Sequence, residues 1–307
     1  AVGLSFSSRF STNIAFLASE PGIYTIKTGM RDSHSAHNIP PYAEAIGYIN
    51  TAQPCPERDI VQTNPDQPTS PINNANMTQG VYTHSGEFST SKRLFSIPGI
   101  GIDLNLYLTY RSQIDYAGPY GYNWDLNIDK RLIIEPNGDV AYLDGEGRRD
   151  KFTLNPDNSY TVPAGLFAQL TKNPDNTYTL RYSHGYTIEF DTNYNGQLAT
   201  NGNSTIERDT NGNHLTILRN TCGIVEGVID TRGNLTRVIY GANTVTFQDY
   251  TSREVVLTLD ANNDLISLRS PTTTEYPNGK EEQFDYSSGN ADNKLNHNLI
   301  AIRHSMD

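Results

Sequence analysis

Carboxylates are the first residues here whose types and spacing could do chemistry. Asp125 and Asp129 form one close pair, and Asp144 and Glu146 another. A glycosidase uses such a pair as general acid and as base or nucleophile, which needs a set separation and a raised pKa on one member. Neither requirement is visible in the sequence, and all four residues sit where a turn or strand edge explains them. Asp209-x-Asn211-x-Asn213 opens like a calcium loop. The EF-hand pattern then wants Gly sixth and Glu twelfth, where this chain has His214 and Asn220. Asp32, His34 and His37 make an Asp-x-His-x-x-His cluster. Zinc asks for a third or fourth ligand at fixed spacing, and no further Cys or His pair offers one. Trp124, the sole tryptophan, lies among Tyr116, Tyr120 and Tyr122. Such rings can bind sugar, but a packed cluster is the commoner use. A Gly-x-Ser-x-Gly elbow, a phosphate loop and a dinucleotide fingerprint are all missing. The sequence therefore predicts no catalytic, cofactor-binding or metal-binding residue, and a protein that is not an enzyme.

Composition narrows the classes further. A net charge of −11 over 307 residues lacks the cationic footprint that phosphate backbones require, which excludes nucleic acid as a partner. The same acidity disfavours anionic membranes and favours solubility. No stretch approaches the roughly 20 apolar residues of a membrane-spanning helix. Ala1–Phe10 lacks the basic-then-apolar layout of a signal peptide. Nineteen tyrosines suit amphipathic sheets, where the ring packs and the hydroxyl stays wet. Cys55 and Cys222 are the only cysteines. They could pair, which sequence does not decide, and the reading favours free thiols.

The elements that would position these residues are strands. Leu104, Leu106, Leu108 and Tyr110 alternate with Asp103, Asn105, Thr109 and Arg111. Tyr178, Leu180 and Tyr182, then Tyr186, Ile188 and Phe190, then Val255, Leu257 and Leu259 repeat the period of two. Each run has one apolar and one polar face, as an antiparallel sheet covered on one side requires. Between the runs come Glu135–Gly138, Asn155–Asn158, Asn173–Asn176, Asp209–Gly212, Asp230–Gly233 and Tyr276–Gly279. These are hairpin turns, with Asn or Gly placed where a left-handed residue is needed. Asn155-Pro-Asp-Asn-Ser-Tyr160 returns 18 residues later as Asn173-Pro-Asp-Asn-Thr-Tyr178. Asp209-Thr-Asn-Gly-Asn-His-Leu-Thr216 returns 21 residues later as Asp230-Thr-Arg-Gly-Asn-Leu-Thr236, and Asp260-Ala-Asn-Asn-Asp-Leu265 is a weaker third copy. A period near 20 residues holds one hairpin, which cannot bury its own apolar face and must stack on neighbours. The fold class is all-β. Residues 1–77 read as an irregular N-terminal segment, with one short helix near Tyr42–Ile49 and a Pro- and Asn-rich linker over Val61–Met77. Residues 78–307 read as the hairpin sheet.

An ordered series of motifs carries a family resemblance. Phe95-Ser-Ile-Pro-Gly-Ile-Gly101, Leu106-Tyr-Leu-Thr-Tyr-Arg-Ser112, Gly118-Pro-Tyr-Gly-Tyr-Asn-Trp124 and Leu132-Ile-Ile-Glu-Pro-Asn-Gly138 come first. Tyr142-Leu-Asp-Gly-Glu-Gly-Arg-Arg149 and Phe152-Thr-Leu154 follow. Together they resemble the start of the bacterial Rhs core, and the Asp-x-x-Gly-Asn-x-Leu-Thr copies are similar to YD repeats. Phe190-Asp191 and Asp285-Tyr286 are partial echoes of the Tyr-Asp pair. The resemblance covers roughly Thr78 to Asp307. It implies a strand ribbon that spirals into a hollow shell, as in Rhs effectors, toxin-complex B/C subunits and teneurins. In the bacterial members such a shell holds a C-terminal toxin. The expected partners are thus the protein's own C-terminal cargo domain or further YD repeats, with self-association or cell-surface glycans as alternatives. The expected location is secreted or cell-surface, in a bacterium. Leu299–Asp307 reads as a strand entering another turn, so the natural protein is expected to continue. Three functions stay open: a non-catalytic scaffold that encloses cargo, an adhesin or filament component, and a glycan-binding or glycan-active domain.

Overall fold

Alternating apolar residues punctuated by Asn, Asp and Gly leave the backbone one economical solution, the antiparallel hairpin, and it recurs throughout. The computed structural model describes residues 22–28, 43–49, 58–62, 77–78, 80–82, 85–194, 197–292 and 295–304. No α-helix occurs among the described residues, and no helix is long and apolar enough to cross a membrane. The chain divides into two units, Ala1–Cys55 and Pro56–Asp307. In the first, β1 (Gly22–Thr28) pairs antiparallel with β2 (Ala43–Ile49), in register from Gly22↔Ile49 to Thr28↔Ala43. The short helix expected near Tyr42–Ile49 is therefore a strand. Gly47 weakens a helix there, Ile46, Tyr48 and Ile49 favour a pleat, and β1 supplies the ladder partners.

The second unit starts upstream of the change in character at Thr78. Arg58 and Ile60 are buried, and β3 (Val61–Gln62) pairs with β8 (Ile114–Asp115). The rest of the Val61–Met77 linker lies outside the described residues apart from Met77, which with Thr78 forms β4 and pairs with β5 (Val81–Tyr82). A long hairpin of β6 (Ser89–Ile100) and β7 (Ile102–Arg111) is joined by β11 (Trp124–Leu126) into a three-stranded sheet. Between them, β9 (Ala117–Gly118) and β10 (Gly121–Tyr122) make a small pair of their own.

The remaining strands form one sixteen-stranded antiparallel sheet. Its first part comprises β12 (Arg131–Ile134), β13 (Val140–Leu143), β14 (Arg149–Leu154) and β15 (Tyr160–Thr161). Then come β16 (Ala168–Lys172), β17 (Tyr178–Tyr182), β18 (Thr187–Tyr194) and β19 (Gln197–Arg208). From β19 onward each strand pairs with its successor in the chain: β20 (His214–Arg219), β21 (Val225–Ile229), β22 (Leu235–Tyr240), β23 (Thr244–Gln248), β24 (Glu254–Leu259), β25 (Leu265–Arg269), β26 (Glu281–Tyr286) and β27 (Leu299–His304). The path runs open from β15 to β27 without closing into a barrel.

The sheet forks at β19. One edge of β19 carries β18, paired at Ile206↔Glu189 and Asn203↔Asp191. The other edge is shared end to end: β12 takes Asn201–Asn203 and β20 takes Ile206–Arg208. Two cores lie on either side of the fork. Leu132, Tyr142 and Phe152 pack with Leu180, Ile188 and Phe190 in one. In the other, Leu104, Leu106, Leu108 and Trp124 pack with Val228, Phe247, Leu257 and Phe284, so the three-stranded sheet covers one face of β20–β26.

The alternating faces fall as the sequence pattern predicts for Leu104, Leu106, Leu108 and Tyr110, all fully buried. The opposite face of β7 is not wet along its whole length, because Thr109 and Arg111 are buried too. The Arg111 guanidinium is held by both Glu87 carboxylate oxygens, at 2.8 and 2.6 Å, and donates to the Gly147 carbonyl at 2.5 Å.

Candidate functional site

The polar groups fall into two sets, one made of turns and one sealed in the interior at the fork. At the turns, each Asp solves a local problem. Asp209 Oδ1 accepts the N–H groups of Asn211 and Asn213 at 2.8 and 2.9 Å, and its Oδ2 accepts from Asn213 Nδ2 at 2.7 Å. Asp230 repeats this with Arg232, Asn234 and the Asn234 amide, at 2.8, 2.9 and 3.0 Å. Asp249 and Asp260 take the same two backbone donors, two and four residues on. In all six turns named from sequence the fourth residue donates its N–H to the carbonyl of the first. That fourth residue is left-handed each time: Gly138, Asn158, Asn176, Gly212, Gly233 and Gly279. The Asp-x-Asn-x-Asn run is thus a turn cap whose lone pairs face its own backbone. The Asn213 amide, foremost among these donors, holds the Asp209 carboxyl below its ordinary range. Asp144 caps its loop in the same way, accepting from Glu146 and Arg148 N–H at 2.8 and 3.0 Å. Loss of water around it, with the Glu146 charge beside it, raises its pKa to about 6. Glu146 itself is exposed. No group of three or more metal-ligating side chains occurs among the described residues, and Asp32, His34 and His37 lie outside them.

Asp125 and Asp129 belong to the interior set. Both are fully buried, and so is Arg131, while the Arg58 and Arg219 side chains are 5% and 2% exposed. The segment from β11 to β12 brings in Asp125, Asp129 and Arg131, the stretch leading into β3 brings in Arg58, and β20 brings in Arg219. Asp129 Oδ1 accepts from Arg58 Nη2 and, at 2.5 Å, from Arg219 Nη1. Arg131 Nη1 donates to both oxygens of Asp125 at 3.0 and 3.2 Å, and its Nε donates to the Arg58 carbonyl at 2.7 Å. Arg219 spans the fork: its Nε donates to the Ser204 carbonyl at 2.8 Å and its Nη2 to Ser204 Oγ at 2.8 Å and the Lys130 carbonyl at 3.2 Å. The Gly223 carbonyl accepts from both Arg58 and Arg219, at 2.6 and 2.7 Å. Beside the cluster, Lys130 pairs with Glu207 at 2.6 Å, and Glu207 also accepts from the Tyr186 hydroxyl at 2.5 Å.

This arrangement fixes charge in place rather than offering it to a substrate. Burial pushes the Asp129 carboxyl up, but Arg58, Arg219 and Arg131 together outweigh that and hold it well below the carboxylate range. Asp125 faces Arg131 alone, and its burial prevails, so its pKa is raised. Glycosidase chemistry needs two carboxyls open to a sugar. Here one pair is wrapped in guanidinium groups, and the other is a loop cap beside an exposed glutamate.

Trp124 is fully buried. Its Nε1 donates to Tyr286 Oη at 2.8 Å, and its ring packs against Tyr110 and Phe284, centroids 5.4 and 5.5 Å apart. Tyr116 and Tyr120 are buried as well, while Tyr122 stacks on His297 at 3.8 Å. Cys222 sits in the Asn220–Gly223 turn, where its N–H donates to Asn220 Oδ1 at 2.9 Å. It is disulfide-bonded, against the free thiol expected. A turn bonded on both sides holds its thiol in one place, a condition for cross-linking that spacing does not report. Cys55 lies outside the described residues.

Sequence reasoning missed Arg58 and Arg219 as partners of Asp129, and Asn203 as an acceptor for Arg58. The two arginines share with Asp129 only the signal of a charge in an otherwise apolar or turn-rich stretch, separated by scores of residues. Residues 78–152 match a family described as a domain of unknown function, DUF6531. That span covers β4 to β14 and ends within the first part of the large sheet. No curated protein matches the chain.

Proposed function

We propose that this chain is a non-catalytic scaffold, a stretch of wall from an Rhs-like, YD-repeat shell that encloses or displays a C-terminal cargo. The observation that carries this reading is the serial addition of hairpins: from β19 to β27 every strand pairs with the next in the chain, so the sheet lengthens by repetition. A wall made this way needs local turns and one covered face, and gains nothing from an open cleft. The engagement of Asp125, Asp129 and Asp144 in ion pairs and turn caps supports a structural role over glycan cleavage. On this reading the partners are the protein's own cargo or further repeats, and the setting is secreted or on a bacterial surface.

Negative-stain imaging of the full-length protein tests the proposal. Closed hollow particles are expected. Fibres or lattices would favour an adhesin or filament instead, a reading helped by β27, whose Ile300 is 67% exposed on a strand with β26 as its one described neighbour. Cleavage of any glycan in a polysaccharide panel, lost in Asp125→Asn or Glu146→Gln, would overturn the non-catalytic reading.

A further inference from the structure

Four polar atoms at the fork are buried with no hydrogen-bond partner among the described residues: Arg58 Nε, Tyr116 Oη, Asp129 Oδ2 and Arg131 Nη2. They belong to one cluster. Arg58 bonds to Asp129 through Nη2 and accepts from Arg131 Nε through its carbonyl. The Arg131 guanidinium lies over the Tyr116 ring, 4.7 Å from its centroid. The Tyr116 hydroxyl feels Arg131, Asp125, Asp129 and Arg58, and burial pushes it up to about 12. Buried polar atoms are rarely left unmatched, and four in one cluster point to a guest.

The chemistry of the four atoms selects that guest. Two are N–H groups that only donate, one is a carboxylate oxygen that only accepts, and one is a hydroxyl that does either. A halide could accept from the two guanidinium groups, but it would leave Asp129 Oδ2 unmatched and repelled. A metal ion could meet Asp129 Oδ2, but three guanidinium groups surround it. The excess of cations over carboxylates already faces the carbonyls of Gly223, Ser204, Lys130, Asp129 and Arg58, so no anion is required. We propose that the fork encloses an internal hydration site, in which one or two water molecules accept from Arg58 Nε and Arg131 Nη2 and donate to Asp129 Oδ2. The water completes the junction where β19 passes from β12 to β20 and is part of the fold. This inference is independent of the shell reading.

A high-resolution crystal structure of the full chain, from crystals soaked in bromide, tests it. Discrete water density within hydrogen-bond reach of Asp129 Oδ2 and of Arg58 Nε or Arg131 Nη2, with no anomalous peak there, is the expected result. A bromide peak at the cluster would overturn it, and so would a dry cluster in which the four atoms pair directly. In solution, exchanging chloride for gluconate at constant ionic strength should leave the thermal midpoint unchanged. A midpoint that rises with chloride and saturates would likewise overturn the water assignment.

Discussion

Asp230 and Asp129 are the same residue doing opposite jobs, and the contrast between the turn series and the fork follows from how far each reaches along the chain. Asp230 satisfies donors two and four residues away. Its turn stays attached to solvent, and the loss of one cap leaves the neighbouring hairpins intact. Asp129 meets Arg58 and Arg219, 71 and 90 residues distant, in an interior sealed from bulk solvent. There a missing partner strands the others out of reach of bulk water. A repeat can be copied because its bonds are local, whereas a junction that branches a sheet has to be assembled from distant segments.

That comparison breaks most sharply if the fork tolerates loss of its central carboxylate. Asp129→Ala should remove about 3–5 kcal/mol of stability, because Arg58 and Arg219 remain buried without a counter-charge. Urea unfolding of the two proteins measures it. A loss no larger than that of a turn variant would mean that the cluster is loose and open to bulk solvent. Gly223→Ala comes next. Gly223 has φ +75° and a Cβ there would stand 2.7 Å from the Asn203 amide and 2.9 Å from Arg58 Nη1, so both strain and crowding act. A loss of about 1–3 kcal/mol is expected in the same assay. The same change at Gly212, where φ is +88° and nothing lies within 4 Å, isolates the strain alone and should cost less, about 1 kcal/mol.

Legibility in the sequence divides along the same line. The turns could be read because Asn-Pro-Asp-Asn and Asp-x-x-Gly carry their whole physics in four to six residues. Leu104 to Tyr110 showed their face because period two is a local property as well. What could not be read was Arg58. It lies before a Pro- and Asn-rich stretch that looks like linker, and its partners are contributed by three other segments. The helix expected at Tyr42–Ile49 failed for a related reason: its own residues only lean towards a pleat, and pairing with the distant Gly22–Thr28 completes the strand. Asp125 and Asp129 drew notice as acids at close spacing, but nothing local announces that guanidinium groups enclose them.

A turn-series variant sharpens the comparison from the other side. Asp230→Ala removes three accepted hydrogen bonds, two of them from backbone N–H groups that water can reach in part, and should cost about 1 kcal/mol. Asp230→Asn keeps an oxygen for the two backbone donors and should recover most of that. Chemical denaturation of the pair, beside Asp129→Ala, reads the ratio between local and long-range polar bonding directly.

The smallest expected effect separates the two sets by pH. Asp129 is held below its unfolded pKa of about 3.9, so its stabilisation is complete above that pH and is lost only as pH falls further, through its lower folded value. Asp144 has the opposite sign. Its folded pKa is raised to about 6, first by loss of water and then by the Glu146 charge, so between about pH 6 and 4 the folded protein binds a proton that the unfolded chain does not. Stability should therefore rise slightly as pH is lowered from 7 towards 5, then fall in stronger acid as Asp129 and the depressed turn carboxyls such as Asp209 are protonated. The gain is at most ~1 kcal/mol, because Asp144 is only half-buried and its charge is screened. Asp144→Asn keeps an acceptor for the Glu146 and Arg148 N–H groups and removes the titration. In that variant the shallow rise between pH 7 and 5 should shrink to the part that Asp125 contributes, while the acid limb below pH 4 remains. If the rise persists unchanged, the proton is taken up elsewhere, and Asp125, the other carboxyl raised by burial, becomes the group to replace.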